Sequence, residues 1–306
     1  MKLHICLTTD SRWLRSAQRA VYDIIIRKNP ETEIKFYVLG ESVEADDLAD
    51  AFLPFADVPG IEAVTRKLDA TAIFGNLSPA WPWLGPFKHL KFLIPDLDLF
   101  AGVERVLYMD VDMLARRDLS DVYAANLGGH ALGAVRDYLN LRFPNCRAAF
   151  NEGNKIENGL LIMDLPKLRR RHFTDYCIYA AKENRDGGDL PVLESVALPL
   201  VKFFAPAFEI PFHLISSEPV FRDITRWNDL NRTDYASVDD LVGQSYLWHY
   251  SGDKEMFYSR IPHVKTAFDL SEARLARFLS TGEVMPWQPS DDSVLYNTTT
   301  TERTTP

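Results

Sequence analysis

Asp110-Val111-Asp112 closes an apolar run, Val106-Leu107-Tyr108-Met109. Residues i and i+2 of an extended backbone face the same side. The two carboxylates can therefore meet one hard divalent cation, which takes oxygen ligands. A second pair of this spacing, Asp96-Leu97-Asp98, follows Pro95 and reads as an exposed loop. Open α/β sheets bind ligands at the carboxyl ends of strands, which favours 110–112. The plainer alternative is a solvated strand end whose acids cap a helix. His249-Tyr250-Ser251-Gly252-Asp253-Lys254 offers an imidazole to complete a carboxylate metal site. Its Gly and Lys suit a diphosphate, through turn amides and a point charge; read alone, the stretch is more simply a core histidine beside a surface lysine. In Thr8-Thr9-Asp10, followed by Trp13, Asp10 can accept from a base N–H and Trp13 can stack on the base. The competing reading is an N-cap and a core tryptophan.

These residues need a scaffold, and the pattern supplies a βαβ opening. His4 to Leu7 is a short buried strand, and Thr8 to Ser11 carries turn and N-cap chemistry. Leu14, Ala17, Val21, Ile24 and Ile25 recur at helical spacing until Asn29-Pro30. Ile34 to Leu39 is the next strand. Prolines make 76–86, with Trp81 and Trp83, an irregular loop before a helix from Phe87 to Leu93. Strands are expected at 104–110, 131–135 and 157–164, a short turn or helix at 118–123, and an amphipathic helix at 168–184. Phe203 to Pro206 and Leu247 to Tyr250 read as late strands. The alternation places the chain in the α/β class.

Composition narrows the function. The chain has 306 residues and a net charge of −9, with pI ≈ 5.3, against generic nucleic-acid binding. Cys6, Cys146 and Cys177 lie far apart with no metal spacing, which reads as reduced thiols in a cytosolic protein. Neither a signal-peptide core nor an apolar membrane span is present in the pattern, so localisation defaults to the cytoplasm. The basic run Lys167 to Arg171 would permit a weak peripheral contact with anionic lipid, although a solvated helix face is the simpler reading. No linker divides the chain: residues 1–290 are expected as one domain and 291–306 as a flexible, threonine-rich tail.

Taken together, Thr8-Thr9-Asp10, the strand-borne D-x-D at 110–112, Asn158-Gly159 and H-x-x-G-x-K at 249–254 resemble glycosyltransferase family 8. This is the group of glycogenin and of bacterial lipopolysaccharide galactosyl- and glucosyltransferases. The resemblance runs from about residue 3 to residue 260. It implies a GT-A fold, a Rossmann-like mixed sheet flanked by helices in a single domain. It also implies a UDP-sugar donor, a divalent cation (Mn²⁺, or Mg²⁺) and retention of anomeric configuration. By resemblance, Asp110, Asp112 and His249 hold the metal, with Val111 between the acids. Gly252 and Lys254 hold the diphosphate, and Thr8, Thr9, Asp10 and Trp13 hold the uridine. Asn158 and Gly159 flank the sugar, Asp137 contacts it, and Asp189 lies near the anomeric carbon.

This sequence departs from the family pattern in places. Leu190 and Pro191 follow Asp189 where the family has Gln, and Glu157 stands where it has Asn. Glu255-Met256 replaces Pro-Trp. The basic residue expected before the D-x-D has three candidates, Lys88, His89 and Lys91. These changes fall on the sugar and acceptor side. The function implied is transfer of a hexose from UDP-glucose or UDP-galactose to a glycan, lipopolysaccharide or protein. The alternative is a non-catalytic UDP-sugar-binding protein that kept the fold. A sugar nucleotidyltransferase would normally show a Gly-rich phosphate loop near the N-terminus, and Thr8 to Leu14 has no Gly. Trp81, Trp83 and the segment 142–153 are candidates for the acceptor site.

Overall fold

A computed structural model describes residues 1–75, 85–142, 155–183, 188–211, 215, 218–250 and 262–287. Among these described residues, nine strands form two sheets. They are β1 (Lys2–Asp10), β2 (Glu33–Glu41), β3 (Ile61–Lys67), β4 (Arg105–Met109), β5 (Met113–Ala115), β6 (Leu132–Arg136), β7 (Ile156–Asp164), β8 (Val201–Phe203) and β9 (Leu247–His249). The helices are α1 (Leu14–Ile25), α2 (Ala45–Phe52), α3 (Ala70–Phe74), α4 (Ser120–Ala124), α5 (Leu165–Arg170), α6 (Phe173–Glu183), α7 (Asp189–Ala197), α8 (Ile224–Asn231), α9 (Val238–Gln244) and α10 (Pro262–Thr281).

Seven strands pair in the order β3-β2-β1-β4-β7-β6-β8. β7 runs antiparallel to both of its neighbours, and the other pairings are parallel. The sheet is buried on both faces, and side-chain alternation assigns each residue to one of them. On β1, Leu3, Ile5 and Leu7 join an apolar layer with α1 and α10, while Cys6 joins the opposite layer. On β4, Leu107 and Met109 go to the first layer and Val106 and Tyr108 to the second. A third cluster, around Trp227 and Trp248, covers the two-stranded sheet β5-β9.

The βαβ opening forms as expected, with one correction. Thr8, Thr9 and Asp10 belong to β1, paired with Leu39, Gly40 and Glu41 of β2. The ladder continues to the end of both strands, so these residues do not form the N-cap. Trp13 stands at that position, without a side-chain cap bond. Asp10 keeps its turn chemistry, its Oδ1 accepting from the backbone N–H groups of Arg12 and Trp13.

A second correction concerns 168–184, which is not one helix. α5 starts earlier, capped by Asp164, which accepts from the Lys167 N–H. It ends at Arg170, and His172 takes a left-handed φ of 52° before α6 begins. The basic run is partly committed there: Lys167 pairs with Asp164, and Arg169 donates to the carbonyls of Pro95 and Phe100. The stretch from Phe87 lies in a 3₁₀ helix, Pro86–Leu93, rather than an α-helix. β8 (Val201–Phe203) shares only Phe203 with the strand expected at 203–206. Among the described residues no helix is long and apolar enough to cross a membrane. Cys6 and Cys177 are free and buried; Cys146, Trp81, Trp83, residues 143–153 and the tail at 291–306 lie outside the described residues.

Candidate functional site

β4 delivers Asp110 to the carboxyl end of the sheet, where its N–H donates to Gly159 O on β7 at 2.8 Å. The carboxylate is held from below: Tyr108 OH donates to Asp110 Oδ1 at 2.5 Å and lies 3.1 Å from Thr8 Oγ1. Tyr108's one proton is committed to Asp110, so Thr8 donates to Tyr108. Burial and the Asp110 charge push the Tyr108 phenol well up, keeping it a donor. Thr8 thus supports a carboxylate from within the core, where it is 1% exposed. Thr9 donates to Asp10 O, and Arg12 grips Asp10 Oδ2 through two nitrogens at 3.0 and 2.7 Å. Trp13 is partly buried against both layers of the sheet.

Val111 is buried, and the turn after it leads into β5, which pairs Met113 with His249 of β9. Tyr250 N–H donates to Asp112 O. This pairing brings His249 Nε2 to 3.4 Å from Asp112 Oδ1. Ligand atoms of Asp110, Asp112 and His249 all lie within 4.8 Å of one another. Ligands about 2.1 Å from a shared ion are roughly 3 Å apart or more, so the spacing fits one divalent cation. Two carboxylates and an imidazole are also a suitable donor set for Mn²⁺ or Mg²⁺.

His249 has further neighbours. Its Nδ1 is 2.7 Å from Glu209 Oε1 and 3.5 Å from Glu157 Oε1. Burial would lower the imidazole, but Asp112 and Glu209 outweigh it and hold its pKa well above the usual value. Burial and mutual repulsion push Glu157 well up, and burial raises Glu209. Glu157 is one of the positions at which the sequence departs from the family pattern. Glu209 gave no signal, being one acid after a Pro-containing stretch with no motif around it.

The neighbouring strand position faces the other way. Asn158 Nδ2 donates to Asp189 Oδ2 at 2.8 Å, and Lys91 Nζ lies 2.6 Å from the same oxygen. Lys91 also donates to Asn158 O and is fully buried. Burial would raise Asp189, but Lys91, Lys88 and His89 hold it down to about 2. Asp189 opens α7 as its first residue. These contacts separate the three basic candidates. Lys91 pairs with Asp189. His89 is packed against Phe74 and Phe92, and burial lowers its pKa. Lys88 is half-buried and forms no ion pair among the described residues. Burial would lower its ammonium, but Asp110, Asp189, Asp112 and Glu157 hold it above its usual value.

Asp137 follows β6, with Oδ1 accepting from the Leu139 N–H; burial raises its carboxyl. Gly252 and Lys254 lie outside the described residues. Asp96 and Asp98 are exposed, Asp98 paired with Arg66, as their loop setting implied.

Residues 4–254 match the profile of Glycosyl transferase family 8. The chain belongs to that family. Membership of this glycosyltransferase family implies a nucleotide-sugar donor and a carbohydrate acceptor. Over 203 residues it is 22% identical to general stress protein A of Bacillus subtilis (strain 168), covering 64% of this chain and 68% of the relative. Over 253 residues it is 21% identical to hexosyltransferase GAUT11 of Arabidopsis thaliana, covering 79% of this chain and 39% of the relative. Two other Arabidopsis relatives, probable galacturonosyltransferase 10 and probable galacturonosyltransferase-like 7, are matched over only 21% and 50% of their length. The fold matches the galactosyltransferase LgtC, solved with donor and acceptor sugar analogues, at a TM-score of 0.64 and 17% identity, over 95% of this chain and 100% of that one. It also matches the glycosyltransferase GlyE of Streptococcus pneumoniae TIGR4, at 0.61 and 16%, over 94% and 66%. The family 8 chain therefore has the GT-A fold, the mixed-sheet α/β architecture expected of it.

Proposed function

We propose that this family 8 protein is a retaining hexosyltransferase that moves glucose or galactose from a UDP-sugar to a glycan, lipopolysaccharide or protein acceptor. The observation that carries the reading is the convergence of Asp110, Asp112 and His249 at the end of β4, beside Asp189 held by Lys91 and Asn158. A divalent cation, Mn²⁺ or Mg²⁺, held by the first three residues would offset the charge of the donor's diphosphate. Lys88 adds a cation with no partner of its own among the described residues, suited to the same charge. Asp189 stays ionised and can stabilise positive charge building at the anomeric carbon. Its Oδ2 is already bound by Lys91 and Asn158, which supports a stabilising role over a nucleophilic one. The reading therefore favours attack by the acceptor on the face that UDP leaves.

The test is UDP release from UDP-glucose, UDP-galactose and their N-acetyl forms, with Mn²⁺ or with EDTA. UDP-galacturonate joins the panel because relatives carry that activity in their names. Slow Mn²⁺-dependent release from UDP-glucose or UDP-galactose is expected, together with its loss in folded Asp110→Ala. Unchanged turnover in that variant overturns the site. UDP binding with Mn²⁺ but no release from any donor, with a panel of sugar acceptors present, would favour a non-catalytic binder.

A further inference from the structure

We propose that Glu209 is a positioning residue for the metal centre: it takes the Nδ1–H of His249 and so turns the Nε2 lone pair toward the cation. The inference rests on the reading that Asp110, Asp112 and His249 hold a divalent ion.

A neutral imidazole carries one proton, and only the nitrogen without it can bind a metal. The two edges of the His249 ring face different partners. Nε2 faces Asp112 at 3.4 Å, and Nδ1 lies against Glu209 at 2.7 Å. The second is an ion-pair contact within hydrogen-bonding distance, which a small turn of the ring would align, and it is too short for two ligands of one ion. Glu209 is 2% exposed, neither of its carboxylate oxygens has an aligned hydrogen-bond donor among the described residues, and its close cationic neighbour is His249 Nδ1 at 2.7 Å. Burying a carboxylate costs several kcal/mol unless a partner compensates it. Here that partner is His249.

The backbone fixes the arrangement. His249 N–H donates to Ile210 O at 2.8 Å, and Ile210 N–H donates to Leu247 O at 3.1 Å. Ile210 bridges Trp248 in parallel, which sets Glu209 beside the histidine. Glu157 is the looser neighbour, at 3.5 Å from Nδ1, with its Oε1 also near the Gly159 N–H. Glu209 and Asp112 thus meet opposite nitrogens of the imidazole, and with a cation bound at Nε2 Glu209 would act as the outer carboxylate that orients a metal-binding histidine.

The experiment measures Mn²⁺ binding by titration calorimetry in the full chain, for wild type, Glu209→Gln and Glu209→Ala. Affinity is expected to fall about 10-fold for Gln, which keeps an oxygen acceptor, and toward 100-fold for Ala. The second readout is the ¹⁵N spectrum of His249 with Mg²⁺ as the diamagnetic ion, the signals assigned by their loss in His249→Gln. Wild type is expected to show Nδ1 protonated, and the variants a mixture of tautomers. A merely structural ion pair would leave the wild-type tautomer in place. Should Glu209→Ala fail to fold, Glu209→Gln, with the same volume, carries the test. Wild-type affinity and tautomer in the variants overturn the inference and leave the metal reading intact. No Mn²⁺ uptake by wild type overturns both.

Discussion

At the scale of single residues, the site works through side chains that hold other side chains. Thr8 holds Tyr108, which holds Asp110; Lys91 and Asn158 hold Asp189. The last pair has a consequence for stability. Asp189 sits at about 2 when folded, below the 3.8 of a free aspartate. A depressed carboxyl contributes stability that is fully present above about pH 4 and is lost as pH falls toward 2. The shift corresponds to about 2 kcal/mol. Asp189→Asn mimics the protonated form and is expected to lose at least about 2 kcal/mol at pH 7 by urea unfolding, because it also leaves Lys91 buried without its counter-charge. The gap between wild type and variant should narrow between pH 4 and 2. A gap that stays constant to pH 2.5 would show that Lys91 does not hold Asp189 ionised.

At the scale of elements, the site depends on two strands approaching closely. β7 passes under β9 at Gly159, where a Cβ would stand 2.5 Å from Met113 Cε and 2.7 Å from His249 Cε1. Met113 can swing aside at its flexible end, but the His249 ring is engaged at both nitrogens. Gly159→Ala is therefore expected to push the imidazole off its carboxylates. The cost should be about 1–3 kcal/mol by urea unfolding, with Mn²⁺ binding weakened at least tenfold. Unchanged Mn²⁺ affinity would mean that the ring has room the structure does not show. Long elements with strong periodicity were legible from the sequence: β1, α1 and β2 follow from apolar runs closed by Asn29-Pro30 and Gly40. The sheet that carries His249 was only half legible, because three-residue strands such as β5 have no period to read. The break at His172 was hidden because the apolar spacing continues through it, and the change is one of backbone φ alone. Asp110, Asp112 and His249 were legible as a set through their resemblance to a family. Glu209 was not, since its role comes from the register of a segment across from β9.

At the scale of the whole molecule, the chain closes on itself away from the site. α10 lies along α1: Phe278 packs on Tyr22 and Phe55 with ring centroids 5.2 Å apart in each case. Ser271 Oγ donates to the buried Asp23, and Trp287 N–H donates to Ile26 O. Arg27 also lies over the Trp287 ring. The last described elements therefore complete the apolar layer that the first helix begins, and the candidate metal ligands Asp110, Asp112 and His249 lie at the carboxyl end of β4. If sheet and C-terminal helix form one cooperative unit, a core deletion at Phe278 must be felt by the whole fold. Phe278→Ala is expected to cost about 3–5 kcal/mol. Calorimetry should show one transition, moved to lower temperature. Mn²⁺ affinity measured well below that transition should match wild type, because the Phe278 ring packs on Tyr22 and Phe55 of the α1 layer. Two separated transitions would show that α10 unfolds independently of the sheet. A single lowered transition accompanied by weaker Mn²⁺ binding would instead show that the α1–α10 layer sets the position of β4, and with it the carboxylate of Asp110.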